Sequence, residues 1–74
     1  MSDQPVHVTC YSGHTYAERP ASFEWRGGHY EVETIEALWR EPDGPRFRVR
    51  TADGGRFRLT YDEAADQWAL KPIE

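Results

Sequence analysis

The 74-residue chain has one cysteine, one methionine and one lysine, and it contains no long run of apolar residues. With only Cys10, no disulfide can form within the chain, which fits a reducing, cytoplasmic setting. No stretch approaches the roughly 20 apolar residues that a membrane helix needs, and no signal-peptide pattern opens the sequence. We therefore expect a cytoplasmic protein without membrane contact, and neither a disulfide-stapled secreted domain nor a helical membrane protein.

Aromatic residues, in contrast, are plentiful: 3 Trp, 4 Tyr and 3 Phe make up 14% of the chain. Thirteen acidic residues against nine basic ones give a net charge of −4. Because each aromatic side chain can bury a large area, even a chain of this length can build one core. We expect a single domain over residues 1–74, ordered over about 5–72, too small to hold a separate cofactor domain.

Turn-forming residues recur at short intervals and separate runs in which apolar and polar residues alternate. These turns are Gly27-Gly28, segment 42–45, segment 53–55 and the polar stretch 62–66. Short strands at this spacing predict an all-β fold, either a small antiparallel five-to-six-stranded SH3-like barrel or a strongly bent meander.

The register of the last two hairpins follows from the rule that directly opposed residues point to the same face. A three-residue loop, 52–54, places Val49 opposite Phe57 and puts Gly54 where a left-handed conformation is needed. A four-residue loop, 63–66, places Tyr61 opposite Trp68. Both hairpins then bury their aromatic residues.

The first two hairpins are predicted in the same way. A two-residue Gly27-Gly28 turn places Trp25 opposite Tyr30. A three-residue loop, 42–44, places Trp39 opposite Phe47, so that both rings point inward.

The inward phase changes once between these two hairpins, near Glu33-Thr34. A bulge there would bend one long strand that serves both hairpins. The spacing of Val32, Ile35 and Trp39 also fits a short helix within 31–41. We prefer the bent strand, because both flanking hairpins need it as a partner.

This register puts most arginines on the side opposite the aromatic core. Residues 46–58 hold five arginines and one aspartate, and Glu36, placed opposite Arg50, is the sole acid expected among them. Like charges opposed across strands cost stability, so these residues either recruit an anion or form an ordinary solvated face. The candidate basic-face residues are Arg40, Arg46, Arg48, Arg50, Arg56, Arg58 and Lys71, with Leu38 and Thr60 also pointing outward.

A second candidate surface is the loop after the first strand, which is long for so small a domain. Long ordered loops often carry function, and side chains with apolar bodies and polar tips suit protein interfaces. The alternative is a cover over one open end of the barrel, with Tyr16 and Pro20 plugging the core. The candidate binding residues of this 11–21 loop are Tyr11, His14, Tyr16, Glu18 and Arg19.

Groups that resemble catalytic or metal sites are incomplete. His7 and Cys10, three residues apart on a strand, would point to opposite faces, and a structural zinc site needs four ligands. Cys10 shares its strand face with Val6 and Val8, which indicates a small core residue rather than a nucleophile. No glycine-rich phosphate loop precedes a helix. We expect no enzyme activity, no metal and no cofactor.

One sequence pattern resembles a known family. Segment 25–40 reads W-x-G-x-x-Y-x-V-x-x-I-x-x-x-W-R, followed by FRVRTADGGRFRL and a closing Trp68-Ala69-Leu70. Over residues 23–70 this pattern is similar to a family of small bacterial domains of unknown function (DUF6504-like). Some members are linked to Y-family DNA polymerase-like repair proteins. The resemblance implies no catalytic residue and does not extend to the CYSGHTYAERP segment.

The sequence therefore predicts a bacterial, non-enzymatic binding module. The preferred hypothesis is a protein partner bound through the 11–21 loop. The alternative is nucleic acid or another polyanion bound through an arginine-rich sheet face. The net charge of −4 and the absence of aromatic residues among the arginines weigh against nucleic acid. We expect a monomer or a weak homodimer.

Overall fold

The computed structural model describes residues 4–10 and 19–73. Its six strands form a closed antiparallel barrel in which neighbours in the chain pair with each other. The strands are β1 (Gln4–Cys10), β2 (Pro20–Trp25), β3 (Gly28–Glu41), β4 (Gly44–Thr51), β5 (Arg56–Asp62) and β6 (Gln67–Ile73). Because β1 pairs with both β2 and β6, the barrel closes. The predicted all-β fold is confirmed, and a closed six-stranded barrel of this size is consistent with the SH3-like class.

Aromatic rings fill one end of the barrel. The Phe57 ring lies edge-on to Phe23, with ring centres 5.2 Å apart, and to Trp25 at 5.4 Å. Tyr30 stacks on Phe23 at 5.3 Å. Towards the other end, Trp68 packs beside further rings of β4 and β5. Burial of these large rings accounts for a core in so short a chain. The described segments contain no helix that could span a membrane.

The predicted register of the last two hairpins is confirmed. Val49 pairs with Phe57 and Tyr61 pairs with Trp68. The loop between β4 and β5 spans residues 52–54, and Gly54 has a φ of 95°, in the left-handed region that favours glycine. The inward-facing residues Val49, Phe57 and Tyr61 are buried, as this register requires.

The predicted turn between β2 and β3 is wrong by one position. Arg26 and Gly27, not Gly27 and Gly28, form the turn, and their φ angles are 52° and 77°. Trp25 pairs with Gly28, which places Tyr30 opposite residue 23 rather than opposite Trp25. A two-residue turn with two positive φ angles matches the twist of the flanking strands. Arg26 therefore has a left-handed conformation that is usually found for Gly or Asn. The pairing differs from the predicted one by two residues, and because successive side chains alternate between faces, every side chain stays on its predicted face.

The predicted turn between β3 and β4 is also wrong. The turn is Pro42-Asp43, while Gly44 already belongs to β4 and pairs with Glu41. Trp39 therefore pairs with Arg46 instead of Phe47. Trp39 is 37% exposed rather than buried.

A pair of bulges in β3 explains this reversal. The ladder with β4 shifts between Val32 and Thr34, and again between Ile35 and Ala37. The first shift confirms the predicted bulge near Glu33, and the continuous strand shows that the helix alternative is wrong. Each bulge adds one residue, which exchanges the inward and outward sides of the strand beyond it. The second bulge, at Glu36, was not predicted from the sequence.

Candidate binding surface

The basic face is defined here as the outer surface of β4, β5 and β6 that carries Arg46, Arg48, Arg50, Arg56, Arg58 and Lys71. Alternate residues of β4 and β5, including Phe47, Val49, Phe57 and Leu59, are buried, which places the intervening arginines on the opposite side. Three like-charged pairs oppose each other across the strands: Arg48 with Arg58, Arg50 with Arg56, and Arg58 with Lys71.

Glu36 lies between two of these arginines. One carboxylate oxygen is 3.6 Å from Nε of Arg48, and the other is 3.4 Å from Nε of Arg56. The Glu36 side chain is only 20% exposed, while each of the two arginines is 49% exposed. The prediction that Glu36 lies opposite Arg50 is wrong, because Thr34 occupies that position and the bulge carries Glu36 further along the sheet.

The basic face has more carboxylates around it than the sequence indicated. Glu36 was expected to be the sole acid, and this prediction is wrong. Among the described residues, Arg40 and four arginines of the basic face form ion pairs with four different carboxylates. The three additional ion pairs are Arg50–Glu33 at 3.5 Å, Arg46–Asp43 at 3.0 Å and Arg40–Glu63 at 2.6 Å.

An open depression of about 750 Å³ lies on this side of the barrel, over the second bulge. Because the depression is open and partly lined by charged groups, it suits a charged group bound at the surface rather than an enclosed apolar ligand. Its lining residues are Thr34, Ile35, Glu36, Arg48, Arg56 and Ile73.

Two outward-pointing residues from the sequence prediction belong elsewhere. Arg40 pairs with Pro45 in the ladder and contacts Glu63 in the turn after β5, away from the depression. Thr60 is only 9% exposed, so the prediction that it forms part of the solvent face is wrong. In the sheet, Thr60 pairs with Arg46 of β4 and with Ala69 of β6.

The loop hypothesis falls mostly outside the described residues. Its two ends are described: Cys10 of β1 pairs with Pro20 of β2, and Pro20 is fully buried. Arg19, next to Pro20, is exposed. Tyr11, His14, Tyr16 and Glu18 lie outside the described ranges, so their role stays a prediction.

Sequence reasoning missed the exposure of Trp39. Leu38 is 62% exposed and Trp39 37% exposed, and the Trp39 indole N–H donates to Glu41 Oε2 at 3.0 Å. Alternation along the strand indicated that one of these two neighbours is exposed, but it gave no signal for the exposure of Trp39, which follows from the second bulge.

Potential metal ligands do not cluster in the described segments. Within residues 4–10 and 19–73, no group of three or more His, Cys, Asp or Glu residues could hold a metal ion. The Thr51 hydroxyl donates to the Asp53 carboxylate, and the Gly55 N–H donates to the same carboxylate at 3.2 Å. These two bonds hold the pKa of Asp53 below its ordinary value. Asp53 lies in the β4–β5 turn, where this arrangement stabilises the turn.

Comparisons with known proteins found no matching protein-family model, no matching curated protein and no matching solved structure. The similarity to small bacterial domains therefore stays a prediction.

Proposed function

We propose that this domain is a non-catalytic module that binds a protein partner. The observation that carries the proposal is the exposure of Leu38 and Trp39, which lie on the two sides of β3 close to its turn into β4 and are together called the Leu38–Trp39 patch. Trp39 lies opposite Arg46 in the ladder. Trp and Arg are enriched at protein interfaces, and these side chains often carry most of the binding energy.

The patch lies on a hairpin that is already held in place. The Glu63 N–H donates to the Asp43 carbonyl at 2.9 Å, which ties the β3–β4 turn to the turn after β5. The Arg40–Glu63 ion pair joins the same two elements. A partner would meet a preformed surface, so binding would cost little loop ordering.

Partner capture with the full chain as bait tests this proposal. The patch variant is Leu38→Ser with Trp39→Ser, the loop variant is Tyr16→Ala with Arg19→Ala, and the matched control is Gln67→Ala. We expect a captured protein to bind the parent and the control alike, and to bind the patch variant roughly 30-fold more weakly, as for an interface hot spot. If the parent retains no protein, or if the patch variant retains the same protein equally well, the patch has no binding role.

The 11–21 loop is the second location for the same function, and one observation favours it. Cys10 and Pro20 pair with each other, yet nine residues connect them. Antiparallel neighbours need only about two to five connecting residues. Loss of the captured protein from the loop variant, with retention by the patch variant, would assign binding to the loop.

Binding of a polyanion to the basic face is a second candidate function. The like-charged pairs across the strands, Arg48 with Arg58 and Arg50 with Arg56, favour it. The similarity to domains linked to DNA repair proteins is in line with nucleic acid as the ligand. Titration of single- and double-stranded DNA, followed by tryptophan fluorescence, should show an affinity that falls as salt rises, because released counterions drive the binding. Salt-independent or undetectable binding would contradict this function.

A further inference from the structure

We propose that Arg48 and Arg56 form a binding subsite for a phosphate group, and that Glu36 of the same chain occupies this subsite in the unliganded protein. The subsite is separate from the Leu38–Trp39 patch, and it rests on the second candidate function only in sharing the basic face. Guanidinium groups from neighbouring strands face a single carboxylate at 3.6 Å and 3.4 Å. A carboxylate held between two arginines stands where an external oxyanion would bind.

Glu36 is held loosely enough to be replaced. Both of its contacts are longer than the roughly 2.8 Å of a strong charge-assisted hydrogen bond. Glu36 is also the extra residue of a bulge, without a ladder partner on β4. The two arginines are each about half exposed, so an anion can reach them without any opening of the core.

Charge balance favours phosphate over a single carboxylate. The single carboxylate of Glu36 meets two guanidinium groups, Arg48 and Arg56, so one negative charge faces two positive ones. Phosphate carries about 1.5 to 2 negative charges near pH 7 and offers several acceptor oxygens. The depression of about 750 Å³ over the two arginines has ample room for it, and its lining includes Thr34, a residue whose hydroxyl can donate a hydrogen bond.

Glu36 would then act as an internal competitor. A ligand must displace the Glu36 carboxylate, which belongs to the same chain and is always present. Singly charged anions should therefore bind weakly, and multiply charged anions should bind more tightly. Removing the carboxylate while keeping its shape should therefore strengthen phosphate binding.

The test compares the full wild-type chain with Glu36→Gln and with Glu24→Gln. Glu24 is an exposed acid of β2 near His29, so its replacement removes the same charge far from the depression. Inorganic phosphate and pyrophosphate are titrated while the NMR signals of the Arg48 and Arg56 Nε–H groups are followed. We expect Glu36→Gln to bind phosphate about fivefold more tightly than the wild type, because two partly exposed ion pairs no longer compete. Glu24→Gln should match the wild type.

Equal affinities of Glu36→Gln and Glu24→Gln would overturn the proposal, since only net charge would then matter. Arg48→Gln and Arg56→Gln, made singly in the wild type, keep the test decisive if Glu36→Gln does not fold. Phosphate-induced shifts should disappear in both, and their persistence would overturn the proposal. A parallel titration with a 12-nucleotide single strand of DNA distinguishes the phosphate subsite from the nucleic-acid function. Phosphate binding without DNA binding would support the subsite and contradict the nucleic-acid function.

Discussion

Gly44 lies directly against the backbone of Tyr61, so closely that a Cβ on Gly44 would overlap the Tyr61 carbonyl oxygen. Its φ of 148° is also one that residues with side chains rarely adopt. We expect Gly44→Ala to lower the free energy of unfolding by about 3 kcal/mol or more, as measured by urea denaturation.

Gly54→Ala is the matched control for this substitution. Gly54 has a φ of 95°, but a Cβ there would meet nothing within 4 Å. Only backbone strain should appear, at about 1 to 2 kcal/mol. If both substitutions lower the free energy of unfolding equally, the close contact between Gly44 and Tyr61 does not contribute to the effect.

The two tryptophans of the β3–β4 and β5–β6 hairpins should differ sharply. Trp68 packs against Tyr61, with ring centres 5.1 Å apart, and against Phe47 at 5.7 Å. We expect Trp68→Ala to cost about 3 kcal/mol of stability and Trp39→Ala less than about 1 kcal/mol. Acrylamide should quench Trp39 more strongly than Trp68, as judged from the single Trp→Phe variants. A large stability loss at Trp39 would contradict its assignment as a surface residue.

The turn at Arg26 offers a stabilising substitution. Arg26 has a φ of 52°, which Asn tolerates better than Arg, while its guanidinium carbon lies 4.7 Å from the centre of the Trp25 ring. We expect Arg26→Asn to raise the free energy of unfolding by about 0.5 kcal/mol, because relief of strain outweighs the lost cation–π contact. Arg26→Ala, which loses the contact and keeps the strain, should be destabilising. Thermal melts of both variants provide the comparison.

Asp53 should make the stability depend on pH at acidic values. The Thr51 hydroxyl and then the Gly55 N–H lower the pKa of Asp53 from its ordinary 3.8 in the folded chain. The unfolded chain therefore binds more protons in this range, and stability rises with pH. The contribution of Asp53 is fully present above 3.8 and is lost as the pH falls through the lowered folded value. Wild type and Asp53→Asn should differ in urea stability near neutral pH and converge as the pH falls below the lowered pKa of Asp53 in the folded chain. A difference independent of pH would contradict this explanation.

The last three strands could be predicted in detail, whereas the β3–β4 connection could not. In β4 and β5, strict alternation and the three-residue turn at Gly54 require the same register, so local and long-range signals agree. In β3 the bulge at Glu36 leaves no mark in composition, yet it places Trp39 opposite Arg46 instead of Phe47 and leaves its ring partly exposed.

The candidate site on the basic face could also be predicted only in part. The side of the sheet on which Arg48 and Arg56 lie follows from the period of two along each strand. The carboxylate between them does not, because Glu36 comes from a bulge whose direction is set by the packing of β3 on β4.

Strand order, the turn at Gly54, the aromatic core and the row of arginines are consequences of local chemistry, since each depends on neighbours along the chain or on one hairpin. The exposure of Trp39 and the pairing of Glu36 with two arginines depend on how a bent strand meets its neighbours. Bulges cost little in local energy, so only the closure of the whole barrel selects where they occur.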